Sequence, residues 1–406
     1  MNSPSEIPRK KQLKTARRFM LFALIMLASP GLLLFWPQVP QNVATENRAF
    51  TSLPSVPVNW QSYCAFPTHF QLYFDDHFGF RNAFLNTQHR LQYHFWGQPT
   101  LNPGEMTNPI LNQATAAQLS NDVLIGREGW LFFKGDRVLE DARGLRPYSE
   151  KELKDWANAF VQNRQKLAAR GISYLVVFTP NKSTVYPEFL PSGIEFSDDQ
   201  RRLPQLIEQL HTTTQVEVLD LTSPLRQTKT DQRCYHKTDT HWNEVGAYVA
   251  FQQILDQLNL STRRLPLSKT VTFEEQLTGG KDLARMLGLQ ETLVETSPVL
   301  KEHELPTPVA KIVGELTLQT GACNQYENPS NADGLGKVIL FHDSFALEWF
   351  PWMSEECSDL ICCWSFGLDF ELIEQKQPNL VIHQIVERML PVRKYEELDV
   401  QNLTLH

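Results

Sequence analysis

The segment "YHKTDTHWNEVGAY", Tyr235 to Tyr248, places two histidines, an acid, a tryptophan and an asparagine just ahead of a helical pattern. Asp239 stands two residues before His241. At that spacing a carboxylate can hold one imidazole nitrogen while the other faces a cleft, as a general base requires. Such a base needs a hydroxyl to act on, and "HDSF" offers Ser344 on a bend after an apolar strand, where backbone N–H groups lie beside a nucleophile. Two readings are open there, since Asp343 or Ser344 could simply cap the next helix, the commoner use of such residues. A metal reading would take His236, Asp239 and His241 as ligands. No cysteine or distant acid is marked out as a further ligand and no HExxH helix occurs, so neither a metal nor a cofactor is expected. Trp242 can wall the imidazole and Asn243 can start the helix. Lys182, Glu387 and Arg388 are charges at strand ends, where a salt-bridge network is the plainer reading. His383, inside an apolar strand, reads as a packing residue.

These residues must be held by a framework, and helical and strand patterns alternate along most of the chain. "DVLIGREGWLFFKGD" predicts two short strands around Arg127-Glu128-Gly129. "YSEKELKDWANAFVQNRQKLAARG" predicts a helix with a Ser149/Glu152 capping box, Leu153, Trp156, Phe160 and Leu167 on one face, and Gly171 past its end. A buried strand "ISYLVVFTP" follows, then a helix over about 200–212, a strand "VEVLDL" and the helix "NEVGAYVAFQQILDQL". Strands "KVILFHDSF", "LICCWSF" and "QPNLVIHQIVERML" complete the pattern, after a Glu-, Thr- and Pro-rich stretch at about 262–336 that reads as an insertion. Alternating helices and fully apolar strands predict an α/β domain with helices on both faces of a mostly parallel sheet. In such sheets ligands bind at the carboxyl ends of the strands, where "TPNK", "HDSF" and "VER" fall.

The chain has 406 residues and a net charge of -8. Its first eighteen residues hold six Lys and Arg against Glu6, so the rest is acidic, which argues against a nucleic-acid partner. This basic arm, 1–18, runs into "FMLFALIMLASPGLLLFW", 19–36, without a charge and long enough to span a bilayer. The positive flank predicts a single-pass protein of the inner (plasma) membrane, its N-terminus cytoplasmic and the rest periplasmic or extracellular. A cleaved signal peptide is the rival reading, although the run is long and no clean A-x-A follows. Residues 37–114 read as a juxtamembrane connector and a docking helix, 115–395 as the main domain, and 396–406 as a tail. The six cysteines follow no zinc spacing, and either disulfides or buried thiols fit an exported chain.

In order, "ENRAF", "YFDDHFGFR", "VLIGREGWLFF", "VVFTPNKSTVYPEFLP", "DTHWNEVGAY", "GKDLARMLGL", "FHDSF" and "QPNLVIHQIVERML" resemble the alginate O-acetyltransferase AlgJ/AlgX-type SGNH hydrolase-like family, membrane-anchored periplasmic proteins that O-acetylate polysaccharides. The resemblance implies a flavodoxin-like SGNH fold of three layers whose chain order is circularly permuted, with Asp239 and His241 before Ser344. It implies a catalytic triad of Ser344, His241 and Asp239. The acetyl group would come from a membrane-bound O-acyltransferase partner and pass to hydroxyls of an exported polysaccharide. His342 stands where ordinary SGNH enzymes carry glycine, and Glu387-Arg388 stand where the oxyanion asparagine is usual. Asn181, Lys182, Trp242, Gly367, Arg388 and the Ser344 N–H are therefore the candidates for substrate or oxyanion contacts. An esterase removing acetyl groups and a non-catalytic glycan-binding scaffold of an export complex are the alternatives.

Overall fold

Apolar runs such as "YLVVF" and "LVIHQIV" can be buried along their whole length only where a sheet is covered on both faces. In the computed structural model they lie side by side in the middle of such a sheet. The described residues are 122–259, 273–301, 310–318, 321–329, 331 and 334–401, with a few between 54 and 73. The chain divides into two units, Met1–Ile110 with Arg285–Leu289, and Leu111–Ala284 with Gln290–His406. Of the first, a helical stretch at 66–71 is described, with Phe66 and Phe70 stacked at 5.8 Å. The basic arm, the apolar run at 19–36 and nearly all of the connector and docking helix lie outside the described residues. No helix among the described residues is long and apolar enough to cross a membrane.

The second unit opens with the expected hairpin, β1 (Val123–Ile125) and β2 (Leu131–Phe133). Helix α1 (Glu150–Ala168) begins with the full Ser149/Glu152 capping box. There follow β3 (Ser173–Thr179), α2 (Lys182–Val185), α3 (Arg202–Thr213), β4 (Glu217–Asp220) and α4 (Glu244–Gln257), whose N-cap Asn243 accepts the N–H of Gly246 at 3.1 Å. β5 (Phe273–Thr278) pairs with β6 (Glu295–Leu300), with α5 (Asp282–Met286) between them in the chain. β7 (Lys311–Leu318), β8 (Gly321–Glu327), β9 (Lys337–His342), β10 (Asp359–Trp364) and β11 (Leu380–Val386) complete a seven-stranded sheet of order β4-β3-β11-β9-β10-β8-β7.

Trp156, Phe160 and Leu167 of α1 and Leu203, Leu206 and Leu210 of α3 cover one face, meeting Tyr174, Val176 and Phe178 of β3. The alternate residues Leu175 and Val177, equally buried, serve the opposite face, as the two-residue period of a strand requires.

The sheet is mixed: β4, β3, β11, β9 and β10 run parallel, as expected, while β8 runs antiparallel to β10 and β7 antiparallel to β8. The stretch at 262–336 is only partly an excursion, since β7 and β8 extend the main sheet at one edge. The segment taken as a tail is tied down through its first residues: Leu398 and Val400 are buried, and Leu398 O accepts the N–H of Leu368 at 3.0 Å. The cysteines divide between both readings. Cys323 and Cys363, opposite each other on β8 and β10, form a disulfide, while Cys234, Cys357 and Cys362 are buried thiols and Cys64 lies outside the described residues.

His383 on β11 is fully buried. Its Nε2 is 2.7 Å from the carbonyl of Phe366, which can only accept, so that nitrogen carries the hydrogen and Nδ1 accepts from the Tyr174 hydroxyl at 3.0 Å. Burial pulls its pKa down to about 4, so the folded protein keeps it neutral while the unfolded chain protonates near 6.5. Its share of stability is present above pH 6.5 and lost as pH falls toward 4, by about 3 kcal/mol. Urea unfolding of wild type and His383→Gln at pH 7 and pH 4.5 should give a smaller acid loss in the variant; equal losses would contradict this assignment.

Candidate active site

The bend after β9 gives Ser344 its place. Asp343, not Ser344, is the N-cap of the following helical turn, its Oδ1 accepting the N–H of Phe345 at 2.9 Å. The same carboxylate accepts the N–H of Val386 at 2.7 Å through Oδ2, and Gln384 donates to its Oδ1 at 3.1 Å while accepting the Asp343 N–H at 2.9 Å. The serine turn is thereby tied to the end of β11. Ser344 is left with its hydroxyl toward the rim, and its N–H, the first of a helical turn, is a donor that no helical carbonyl can reach.

His241 approaches from the other side. Its Nε2 lies 2.7 Å from Ser344 Oγ, and its Nδ1 lies 2.7 Å from Asp239 Oδ1. That carboxylate oxygen also accepts the backbone N–H of His241 at 3.1 Å. Burial alone would raise the pKa of Asp239, but hydrogen bonds from His241 and its nearby charge hold the carboxyl well below the usual range. Phe345 flanks the imidazole, with ring centroids 4.8 Å apart.

The turn at 236–241 runs outside the main sheet, and its polar backbone is satisfied largely by charged side chains. The Lys182 ammonium donates to the carbonyls of His236 and Lys237 at 3.0 and 3.1 Å, and to that of Asp239. Glu295 of β6 accepts the N–H groups of Lys237 and Thr238 at 2.8 and 3.0 Å and the Thr238 hydroxyl at 2.5 Å. Despite burial, these hydrogen bonds keep the Glu295 carboxyl below the usual range. Burial brings Lys182 down to about 8.

The other candidates separate. Arg388 donates from Nη2 to Ser344 Oγ at 3.4 Å, with its guanidinium over the rings of Phe133 and Phe345. Asn181 and Arg388 line a small cleft with Phe132, Phe133, Ser183 and Thr240. Lys182 also borders it, but its ammonium is committed to the three carbonyls. Trp242 is only 1% exposed and packs on Phe345 and Trp349, so it is a core residue and not a substrate contact. Gly367 lies against the backbone of Glu397–Asp399, where a Cβ would meet Glu397 O at 2.2 Å, so its glycine serves that close approach. Glu387 accepts from the Asn181 N–H at 2.8 Å and the Thr184 hydroxyl at 2.5 Å and pairs with Arg201, all buried, which makes it structural. His236 is drawn away from the site, its Nδ1 2.5 Å from Ser297 Oγ.

Donor atoms of Asp239, His241 and Asp282 come within 4.8 Å of one another, a spacing that could hold a cation. The contact between His241 Nδ1 and Asp239 Oδ1 spends those donors on each other, however, and an ion would have to break it. Asp282, Glu295, Phe345 and Gln384 were not marked out as site residues by sequence reasoning. For Asp282 the signal was present, within "GKDLARMLGL", but spacing alone attached no chemistry to it.

The fold is that of an SGNH-like α/β protein, and a family model described as the SGNH hydrolase-like domain of acetyltransferase AlgX matches residues 123–318. Among curated relatives, "Probable alginate O-acetylase AlgJ" of Azotobacter vinelandii is 27% identical over 185 residues, 43% of this chain and 44% of that one. The AlgJ of Pseudomonas aeruginosa is 29% identical over 136 residues, 32% of each chain. The chain thus spans less than half the length of these relatives. The solved O-acetyltransferase domain of Pseudomonas putida AlgJ is similar with a TM-score of 0.43 and 19% identity, covering 67% of this chain and 93% of that one. Over residues 123–318 the chain is similar to the AlgJ/AlgX-type family that its sequence motifs resemble.

Removing the cation that gathers the three carbonyls leaves buried acceptors unpaired. Lys182→Met should lower the unfolding free energy by about 1–3 kcal/mol and reduce the amplitude of any activity that depends on His241. A urea midpoint equal to wild type would show that the ammonium does not hold the turn.

Proposed function

We propose that this protein is an O-acetyltransferase that carries an acetyl group on Ser344 and passes it to hydroxyls of an exported polysaccharide. The observation that carries the reading is the continuous chain of contacts from Asp239 to His241 to Ser344, each link 2.7 Å. A serine hydroxyl is a weak nucleophile, and this arrangement removes its proton as the bond to carbon forms.

In the first half-reaction His241 Nε2 takes the Ser344 proton while Oγ attacks the carbonyl carbon of the donor. The tetrahedral intermediate collapses, the leaving group departs with that proton, and Ser344 is left acetylated. In the second, a sugar hydroxyl gives its proton to His241 as its oxygen attacks the acetyl carbon. Ser344 leaves and recovers the proton. Asp239 keeps Nδ1 protonated throughout, so that Nε2 is the nitrogen that takes up each proton and hands it on. The Ser344 N–H, the Arg388 guanidinium and the side-chain amide of Asn181 are the donors suited to the developing oxyanion. The family relatives, named as probable alginate O-acetylases, support acetyl as the group and an alginate-like polysaccharide as the acceptor. The donor in this reading is a membrane-bound O-acyltransferase, with the catalytic domain tethered by the apolar run at 19–36 on the periplasmic or extracellular side of the plasma membrane.

Incubation with an activated acetyl ester and an oligosaccharide tests this. Acetylated sugar is expected, with transfer reduced at least 1,000-fold in Ser344→Ala, about the cost of losing a catalytic nucleophile. Acetate without acetylated sugar would identify an esterase, and neither product a glycan-binding scaffold. Chelator treatment should leave the transfer rate unchanged.

A further inference from the structure

The stretch between β5 and β6 supplies an acid that the triad itself does not use. Asp282 heads α5, and its carboxyl faces the Asp-x-His turn. Oδ1 accepts the N–H of Thr240 at 2.9 Å and of Leu283 at 2.6 Å, while Oδ2 lies 2.8 Å from the Thr240 hydroxyl. Thr240 is the residue between Asp239 and His241, and its hydroxyl is also 3.1 Å from His241 Nδ1. The backbone runs back toward the same element, since Thr238 O accepts the N–H of Leu283 at 3.0 Å. Asp239, His241 and Asp282 converge within 4.8 Å.

Two carboxyl groups this close and this buried cannot both be ionised without a heavy cost. Asp239 commits Oδ1 to two N–H donors of His241, bonds that favour its anion, so the proton of the pair falls to Asp282. Burial first, and then the charge of Asp239, push the Asp282 carboxyl above the usual range, which agrees with that placement.

We propose that Asp282 is a positioning residue for the triad: as a neutral carboxyl group it fixes the Asp-x-His turn through Thr240 and faces Asp239, which then presents the one negative charge of the pair to His241. The inference rests on the triad reading of Ser344, His241 and Asp239. Among the described residues, the ionisable groups whose charges act on Asp282 or respond to it are Asp239 and His241 on the turn and Lys182 on α2.

The test measures turnover of an activated acetyl ester by the full chain as wild type, Ser344→Ala, Asp282→Ala and Asp282→Asn. An active wild type and an inactive Ser344→Ala establish the triad independently of Asp282. Given that, Asp282→Ala should lower kcat by about 10- to 100-fold with KM nearly unchanged, the scale of a displaced catalytic group. Asp282→Asn, the same shape and uncharged, should recover kcat to within about 3-fold of wild type and leave the acid limb of the rate–pH profile in place. Wild-type kcat in Asp282→Ala overturns the proposal. So does an Asn variant that folds but is as impaired as the Ala variant, or one whose acid limb moves by about a pH unit, the mark of a lost negative charge. Should Asp282→Ala fail to fold, the Asn variant alone decides.

Discussion

The site depends on how the turn at 236–241 is held. A segment outside the sheet normally returns its carbonyls and N–H groups to water. Here many of them meet buried or half-buried charged or acidic side chains instead: the Lys182 ammonium on three carbonyls, Glu295 on two N–H groups and Asp282 on a third. These partners come from three separate elements, α2, β6 and α5. Charge-assisted hydrogen bonds are stronger and more directional than those between neutral groups, and one charge can collect several backbone dipoles at once. The result is a rigid base for His241 without any regular secondary structure beneath it. Burying these charges is itself costly, and each is tolerated because its hydrogen-bonding capacity is well used.

The serine half is built on a different plan. Ser344 follows a parallel strand, and its turn is fastened by hydrogen bonds that the Asp343 carboxylate accepts from Gln384 and the Val386 N–H and that Gln384 accepts from the Asp343 N–H. A strand end is already fixed by its neighbours, so only the bend beyond it needs support. Two unlike solutions thus meet at the contact between His241 Nε2 and Ser344 Oγ. Phe345, next to the serine, flanks the imidazole and also packs on Trp242, joining the two halves through apolar contact.

Much of this was legible in the sequence, and the limits are physical. The capping box at Ser149 and the fully apolar strands declare themselves, because local chemistry and a fixed period determine them. Asp239, His241 and Ser344 could be singled out since a two-residue spacing and a strand-end bend carry their own geometry. The roles of Lys182 and Trp242 could not be read so easily. A lysine at a strand end has one appearance in sequence whether it meets solvent or three buried carbonyls, and a tryptophan beside a histidine does not reveal which way the chain turns. β7 and β8 were hidden because strands at or next to a sheet edge need less apolar sequence than central ones and pair over distances that no local pattern reports.

The order of strands in the sheet carries a consequence for how the two halves of the site come together. β11, the last strand among the described residues, lies between β3 and β9, and its far end holds the residues that fasten the serine turn. β3 pairs with β4, and β9 with β10, but those two blocks are joined within the sheet only through β11. The histidine belongs with one block and the serine with the other. A chain lacking β11 would therefore carry Asp239, His241 and Ser344 without the strand whose end fastens the serine turn.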